Sequence, residues 1–253
     1  MKFILVLTAL FLVSCSSSPK NPTQKTIVLI HGAHMDGSSW SQVKAILENN
    51  GQEVVAPTMP GRDNNKNVDL NTYAQVACDQ APDNSIIVGH SQGGAIANQM
   101  VGICPEKIVK IIYVTAVVPL SGERPFDLME KRDEKAYAKT VVFKKDRAEP
   151  KNKRAFLRAM AQDFDHKTTK SPVIYSEPTK VAGTLVKFEA EDFDVIPKAY
   201  VFAEADLIIT LATQKKYTNR TEFQETYTIV SGHLPMVTKP AALADVLLKS
   251  STL

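Results

Sequence analysis

Cysteine is scarce in this chain: three in 253 residues, at positions 15, 78 and 104, without the spacing of a metal site. Charge of one sign is scarce too. Thirty basic residues face 27 acidic ones, for a formal charge of +3, and the two signs are mixed, as in "MEKRDEKAYAK". A nucleic-acid binder would show a basic patch or stripe, so no nucleic-acid partner is expected. No proline-rich or charged linker divides the chain, which argues for one domain. Histidine occurs only five times, at 31, 34, 90, 166 and 233, which restricts where proton-transfer chemistry can sit. The apolar run at the start, Phe3 to Val13, is too short to cross a bilayer, which takes about 20 residues of helix.

That start reads as a leader. In "MKFILVLTALFLVSC" Lys2 supplies a charged n-region, and the apolar stretch ends at Leu12-Val13-Ser14-Cys15. The ending resembles a bacterial lipoprotein signal, which implies cleavage before Cys15 and lipid on its sulfur and new amino group. Ser16, where an aspartate would argue for inner-membrane retention, points to the outer membrane, facing the periplasm. Plain signal cleavage, with Cys15 incidental, is the alternative. On this reading residues 1–14 are the signal peptide, 15–25 a polar tether and 26–253 the folded domain.

Beyond the tether, strands and helices alternate. "TIVLI", "EVVAPTMPG" (a strand and its exit turn), "SIIVGH", "IVKIIYVTAVV", "KAYVFAEAD" and "ETYTIVSGH" read as six strands. Helices fall at about Ser39–Asn50, Leu70–Gln80, Ser91–Ile103, Leu207–Tyr217 and Pro240–Lys249. Continuous aliphatic strands joined by helical crossovers predict a parallel sheet covered on both faces. Residues 119–197 break the alternation and read as a mostly helical cap over the carboxyl ends of the strands, where such sheets gather function.

"IIVGHSQGGAIANQM", Ile86 to Met100, places Ser91 inside a G-x-S-x-G pattern between the third strand and a helix of small residues. That spacing suits a sharp strand-to-helix bend that leaves one hydroxyl exposed. A free hydroxyl is a weak nucleophile, so it needs a base, and the base needs a carboxylate. His90 adjoins Ser91 along a tight turn and should point away from it. His31 and His34 follow the first strand, and His166 falls in the cap. His233, just past the last strand, can lean over Ser91. Asp206, at the carboxyl end of the fifth strand, is the leading acid. Glu204 is a rival one step deeper on the same face, and Glu123 with Asp127 forms a second rival site. Asp192 and Asp194 lie at the wrong end of the fifth strand. Oxyanion donors are expected from the backbone N–H groups of Gln92 and Ala33, with Gly32 letting the chain turn inward.

"VLIHGAHMDGSSW", "VGHSQGG", "EADLIIT" and "GHLPMVTKP" together resemble the α/β-hydrolase superfamily. The likeness is strongest to the capped group of plant methylesterases, salicylate-binding esterases, hydroxynitrile lyases and bacterial carboxylesterases. It implies an α/β-hydrolase fold, with a mostly parallel six-stranded sheet flanked by helices and a helical cap after the fourth strand. It also implies a Ser91–His233–Asp206 triad cleaving small carboxylic esters without cofactor or metal. The lyases of that group carry threonine after the first motif histidine and lysine after the catalytic one. Gly32 and Leu234 stand there, which favours ester hydrolysis over lyase or acyl-transfer chemistry on the same triad. A non-catalytic, lipid-anchored binding protein is the remaining alternative. In the implied topology the helix bearing Cys78 and the helix that ends just before Cys104 pack side by side, so those thiols either form a disulfide or stay reduced as small apolar groups.

Overall fold

A computed structural model of the protein describes residues 25–62, 67–165 and 171–252. The expected signal peptide, Cys15 and nearly all of the tether lie outside the described residues, as does His166. The strands are β1 (Thr26–Ile30), β2 (Glu53–Val55), β3 (Ser85–His90), β4 (Ile108–Val114), β5 (Val141–Phe143), β6 (Arg147–Pro150), β7 (Glu177–Pro178), β8 (Lys198–Ala203) and β9 (Glu225–Ile229). The α-helices are α1 (Ser41–Asn49), α2 (Leu70–Gln80), α3 (Gly93–Val101), α4 (Lys131–Thr140), α5 (Lys153–Met160), α6 (Thr179–Gly183), α7 (Ala190–Val195), α8 (Leu211–Thr218), α9 (Pro235–Thr238) and α10 (Pro240–Ser251).

Six strands form one sheet in the order β2-β1-β3-β4-β8-β9, every neighbouring pair parallel. Its central strands are the uninterrupted aliphatic runs: β1 and β3 are buried along their whole length. Such strands have no solvent face and require helices on both sides. α1 packs against α10, and α2 lies along α3. Edge strand β9 instead alternates exposed and half-buried residues over most of its length. The six strands and the parallel sheet match the expectation from the sequence.

Three local expectations differ. The fourth strand stops at Val114, four residues early, because Thr115 takes a left-handed φ of 39° that turns the chain out of the sheet. The helix expected from Leu207 begins at Leu211; the Asp206 carboxylate accepts the Ile208 and Ile209 amides and holds those residues in a turn. Between β4 and β8 the chain is less helical than expected. Alongside α4 to α7 it forms an antiparallel sheet, β5-β6-β7, with Phe143 opposite Ala148 and Ala148 opposite Glu177. Asp133, fully buried on α4, accepts hydrogen bonds from Thr210 N, Thr210 Oγ1 and Thr213 Oγ1, and so ties this layer to the loop after β8.

Candidate active site

The chain bends sharply where β3 meets α3, and Ser91 occupies the bend with a left-handed φ of 53°. A serine pays strain for that conformation, and the close packing around it explains why it persists. Gly93 lies so near β1 that a β-carbon there would sit 2.7 Å from the Ile30 carbonyl oxygen. The Ser91 N–H donates to Val114 O, and Val117 N donates to Ser91 O. The bend is therefore stitched to the end of β4 on both sides.

Facing Ser91 is His233, on the loop after β9. Ser91 Oγ lies 2.9 Å from His233 Nε2, and His233 Nδ1 lies 2.6 Å from Asp206 Oδ2. A carboxylate can only accept, so Nδ1 carries the proton and Nε2 presents its lone pair to the serine hydroxyl. Asp206 Oδ1 accepts the Ile208 and Ile209 N–H groups at 2.7 and 3.0 Å, and Oδ2 also accepts from Thr115 Oγ1 at 2.5 Å. All three side chains are buried. Glu204, the rival acid, is exposed, and Glu123 is occupied by Arg220 Nη1 and Nη2. Asp127 lines the cavity described below but accepts from Arg124 N, whereas His233 Nδ1 meets Asp206.

The loop after β1 closes over the bend. A β-carbon on Gly32 would fall 2.9 Å from Ser91 Cβ, so backbone rather than side chain faces Ser91. His31 Nε2 accepts the Met59 N–H at 3.0 Å, leaving Nδ1–H to donate to Gly32 O at 2.8 Å. That bond orients the Gly32–Ala33 peptide, the unit that carries the Ala33 N–H. Burial, reinforced by the Arg62 charge, lowers His31 to about 4, so it stays a neutral clamp. Neither the Ala33 N–H nor the Gln92 N–H is taken up by another protein group among the described residues.

His34, with a φ of 66°, belongs to the same clamp. Its Nδ1–H donates to Tyr175 O at 2.8 Å, and its Nε2 accepts from Tyr137 OH at 2.6 Å. His90 does not reach Ser91. Its Nε2–H donates to the His233 carbonyl oxygen at 2.7 Å, and burial keeps the ring neutral. Cys78 and Cys104 are joined as a disulfide with α-carbons 6.1 Å apart. Cys104 follows α3 whereas Ser91 precedes it, so the bridge lies at the other end of that helix.

A cavity of about 660 Å³ opens onto Ser91, His233, Ala33 and Gln92. Its wall is mainly apolar, with Phe126, Met129, Phe156, Met160, Ile208 and Leu234 among its members. Four further side chains of the site lie outside the sequence expectations: Thr115, Glu177, Arg62 and Tyr73. Thr115 was findable as a hydroxyl at a strand's carboxyl end; Glu177 lies in the irregular cap, where no period points to a partner. Among the described residues no cluster of three or more His, Cys, Asp or Glu side chains could hold a metal ion.

A serine at a strained strand-to-helix bend, facing a histidine and a buried aspartate at the carboxyl ends of parallel strands, defines a site of the nucleophile-elbow class. The chain belongs to the alpha/beta hydrolase family, which it matches over residues 27–246. It is similar to a pyrethroid hydrolase of Sphingobium wenxiniae, 26% identical over 255 residues, spanning 88% of this chain and 86% of that one. It is also similar to methylesterase 7 of Arabidopsis thaliana, 26% identical over 250 residues, spanning 89% of this chain and 96% of that one. In three dimensions it resembles a pyrethroid hydrolase from Sphingobium faniae, with a TM-score of 0.80 at 24% identity, covering 90% of this chain and 97% of that one.

Proposed function

We propose that the protein is a serine carboxylesterase for uncharged, predominantly apolar esters. The observation that carries this reading is the hydrogen-bonded series Ser91–His233–Asp206 opening onto an apolar cavity. His233 Nε2 takes the hydroxyl proton as Ser91 Oγ attacks the acyl carbon. The negative charge that develops on the carbonyl oxygen is met by the N–H groups of Ala33 and Gln92. Collapse of the tetrahedral intermediate breaks the bond to the alkoxy oxygen, and His233 returns the proton to the departing alcohol. Water then attacks the acyl-enzyme, giving a proton to His233, and the acid leaves as Ser91 is restored. Asp206 fixes the imidazole tautomer and stabilises its protonated form in both halves.

The relatives named above are, by their names, a pyrethroid hydrolase and a methylesterase, which supports hydrolysis and, from the second, an ester as the bond cleaved. The absence of threonine and lysine at positions 32 and 234 supports hydrolysis over lyase chemistry. The test is p-nitrophenyl ester turnover by Ser91→Ala, His233→Ala and the double variant. Each single change should lower kcat by roughly a thousandfold or more, with the double variant no worse, because the groups act as a unit. Independent, multiplying losses would overturn the triad. We propose further, from the sequence around Cys15 alone, that the protein is anchored by lipid in the bacterial envelope. Radiolabelled palmitate should label the wild type in cells but not Cys15→Ala; equal labelling would reject the anchor.

A further inference from the structure

One buried carboxylate outside the proposed triad touches both sides of the oxyanion site. Glu177, on β7 of the cap, is 4% exposed, and both its oxygens are occupied. Oε2 accepts the His34 N–H at 2.9 Å and Arg62 Nη1 at 2.5 Å. Oε1 accepts Gln92 Nε2 at 2.9 Å and Tyr73 OH at 3.0 Å. Four donors fill the lone-pair positions of one carboxylate. Although Glu177 borders the cavity, it therefore has no free acceptor to act as a base or nucleophile.

Burial by itself would raise the Glu177 carboxyl, but Arg62, His34 and their hydrogen bonds outweigh it and hold it at about 2. The group is thus a fixed anion with its countercharge in place. Its two remaining contacts, besides Tyr73 and Arg62, fall on the two segments that present the oxyanion donors. His34 follows Ala33 directly, so its captured N–H fixes the peptide on one side of Ala33, while His31 fixes the peptide on the other through Gly32 O. Gln92 is itself the second donor residue, and its side-chain amide is captured by the same carboxylate.

Resting on the serine-esterase reading above, we propose that Glu177 is a positioning residue. It joins the loop after β1 to the nucleophile bend and sets the two oxyanion N–H groups at a fixed separation. The cap thereby completes the catalytic geometry as well as walling the cavity. Each donor of such a site contributes roughly 10²–10³-fold to turnover, and displacement by about 1 Å costs on the order of 10²-fold.

The experiment compares Glu177→Gln and Gln92→Met with the wild type in p-nitrophenyl butyrate turnover, inhibition by an arylboronic acid and labelling by a fluorophosphonate. Glu177→Gln keeps the size but puts an NH₂ group against donors; Gln92→Met keeps the backbone N–H and removes only the link. Glu177→Gln should lower kcat roughly tenfold to a hundredfold and Gln92→Met roughly fivefold. KM should stay within about twofold in both, and boronate affinity should fall in step with kcat, because only the charged tetrahedral state uses the donors. Unchanged kcat and boronate affinity in either correctly folded variant would overturn the proposal. So would a rise in KM at constant kcat, which would make Glu177 a substrate contact. If Glu177→Gln fails to fold, judged by near-ultraviolet circular dichroism, Gln92→Met decides alone. A wild type that neither turns over esters nor is labelled would overturn the serine-esterase reading and this proposal together, whereas an active wild type with unaffected variants overturns only this one.

Discussion

His90 Nε2 donates its proton to the main-chain carbonyl of His233 at 2.7 Å, with the two rings 4.9 Å apart. The residue before Ser91 thus holds the backbone of the proposed base. Replacing it with leucine would leave that carbonyl buried and unpaired, at a cost of about 1–3 kcal/mol. His90→Leu should lower kcat roughly tenfold while fluorophosphonate still labels Ser91. An unaltered kcat would show that the His233 loop needs no such support.

The two candidate acids separate by environment. Asp206 is buried and accepts from His233, Thr115 and two amides, whereas Glu204 lies exposed two residues earlier. Asp206→Asn would place an NH₂ or an amide oxygen where the imidazole needs a carboxylate, favouring the wrong tautomer. It should lower kcat by on the order of 10³–10⁴-fold, with Glu204→Gln within about twofold of wild type. Steady-state kinetics of the two variants measures this, and the reverse ranking would transfer the role to Glu204.

Acid should destabilise the fold in two stages. Burial lowers His31 to about 4, and His34 and His90 are lowered for the same reason. In the unfolded chain these rings take up protons near pH 6.5. The unfolded state then binds more protons than the folded one, so stability is full above 6.5 and falls as pH drops towards 4. Glu177 adds a second decline. Its folded value of about 2 lies below its ordinary 4.5, so its stabilisation is present above 4.5 and lost towards pH 2. Calorimetry should find Tm lower by roughly 10 °C at pH 4.5 than at pH 7, since His31 alone contributes on the order of 3 kcal/mol. A flat profile would contradict it.

The disulfide between Cys78 and Cys104 closes a loop with a sequence separation of 26. On chain entropy it should stabilise the fold by about 3 kcal/mol. Replacing both cysteines with serine should lower the urea midpoint by a corresponding amount. Because the bridge lies past the far end of α3 from Ser91, kcat should be unchanged. Mass spectrometry of non-reduced peptides checks the link directly; two alkylated thiols in the oxidised protein would refute it.

The sheet is legible because its central strands β1 and β3 are buried, mainly aliphatic runs, a signal local in sequence. Ser91, His233 and Asp206 stand out because each lies at a strand's carboxyl end, where topology brings distant segments together. The structure places the three in a hydrogen-bonded row. The hairpin in the cap is hidden from a helical reading because "VVFKKDRAEP" pairs with itself over a short span and mixes charge with apolar residues. Glu177 was invisible for a related reason. Its partners Arg62, Tyr73, His34 and Gln92 come from separate segments, and no spacing within the chain announces that they meet.

The close approach of Gly32 to its neighbours restricts the routes by which this site could change its chemistry over evolutionary time. A β-carbon at position 32 would lie 2.7 Å from His90 Nδ1 and 2.9 Å from Ser91 Cβ. The threonine that the resembling lyases carry there would collide with a buried ring that also holds His233 in place. A lineage starting from this sequence could accept that threonine only after residue 90 had become smaller and the His233 carbonyl had found another donor. The order of substitutions, and not merely their identity, would decide whether the path is open.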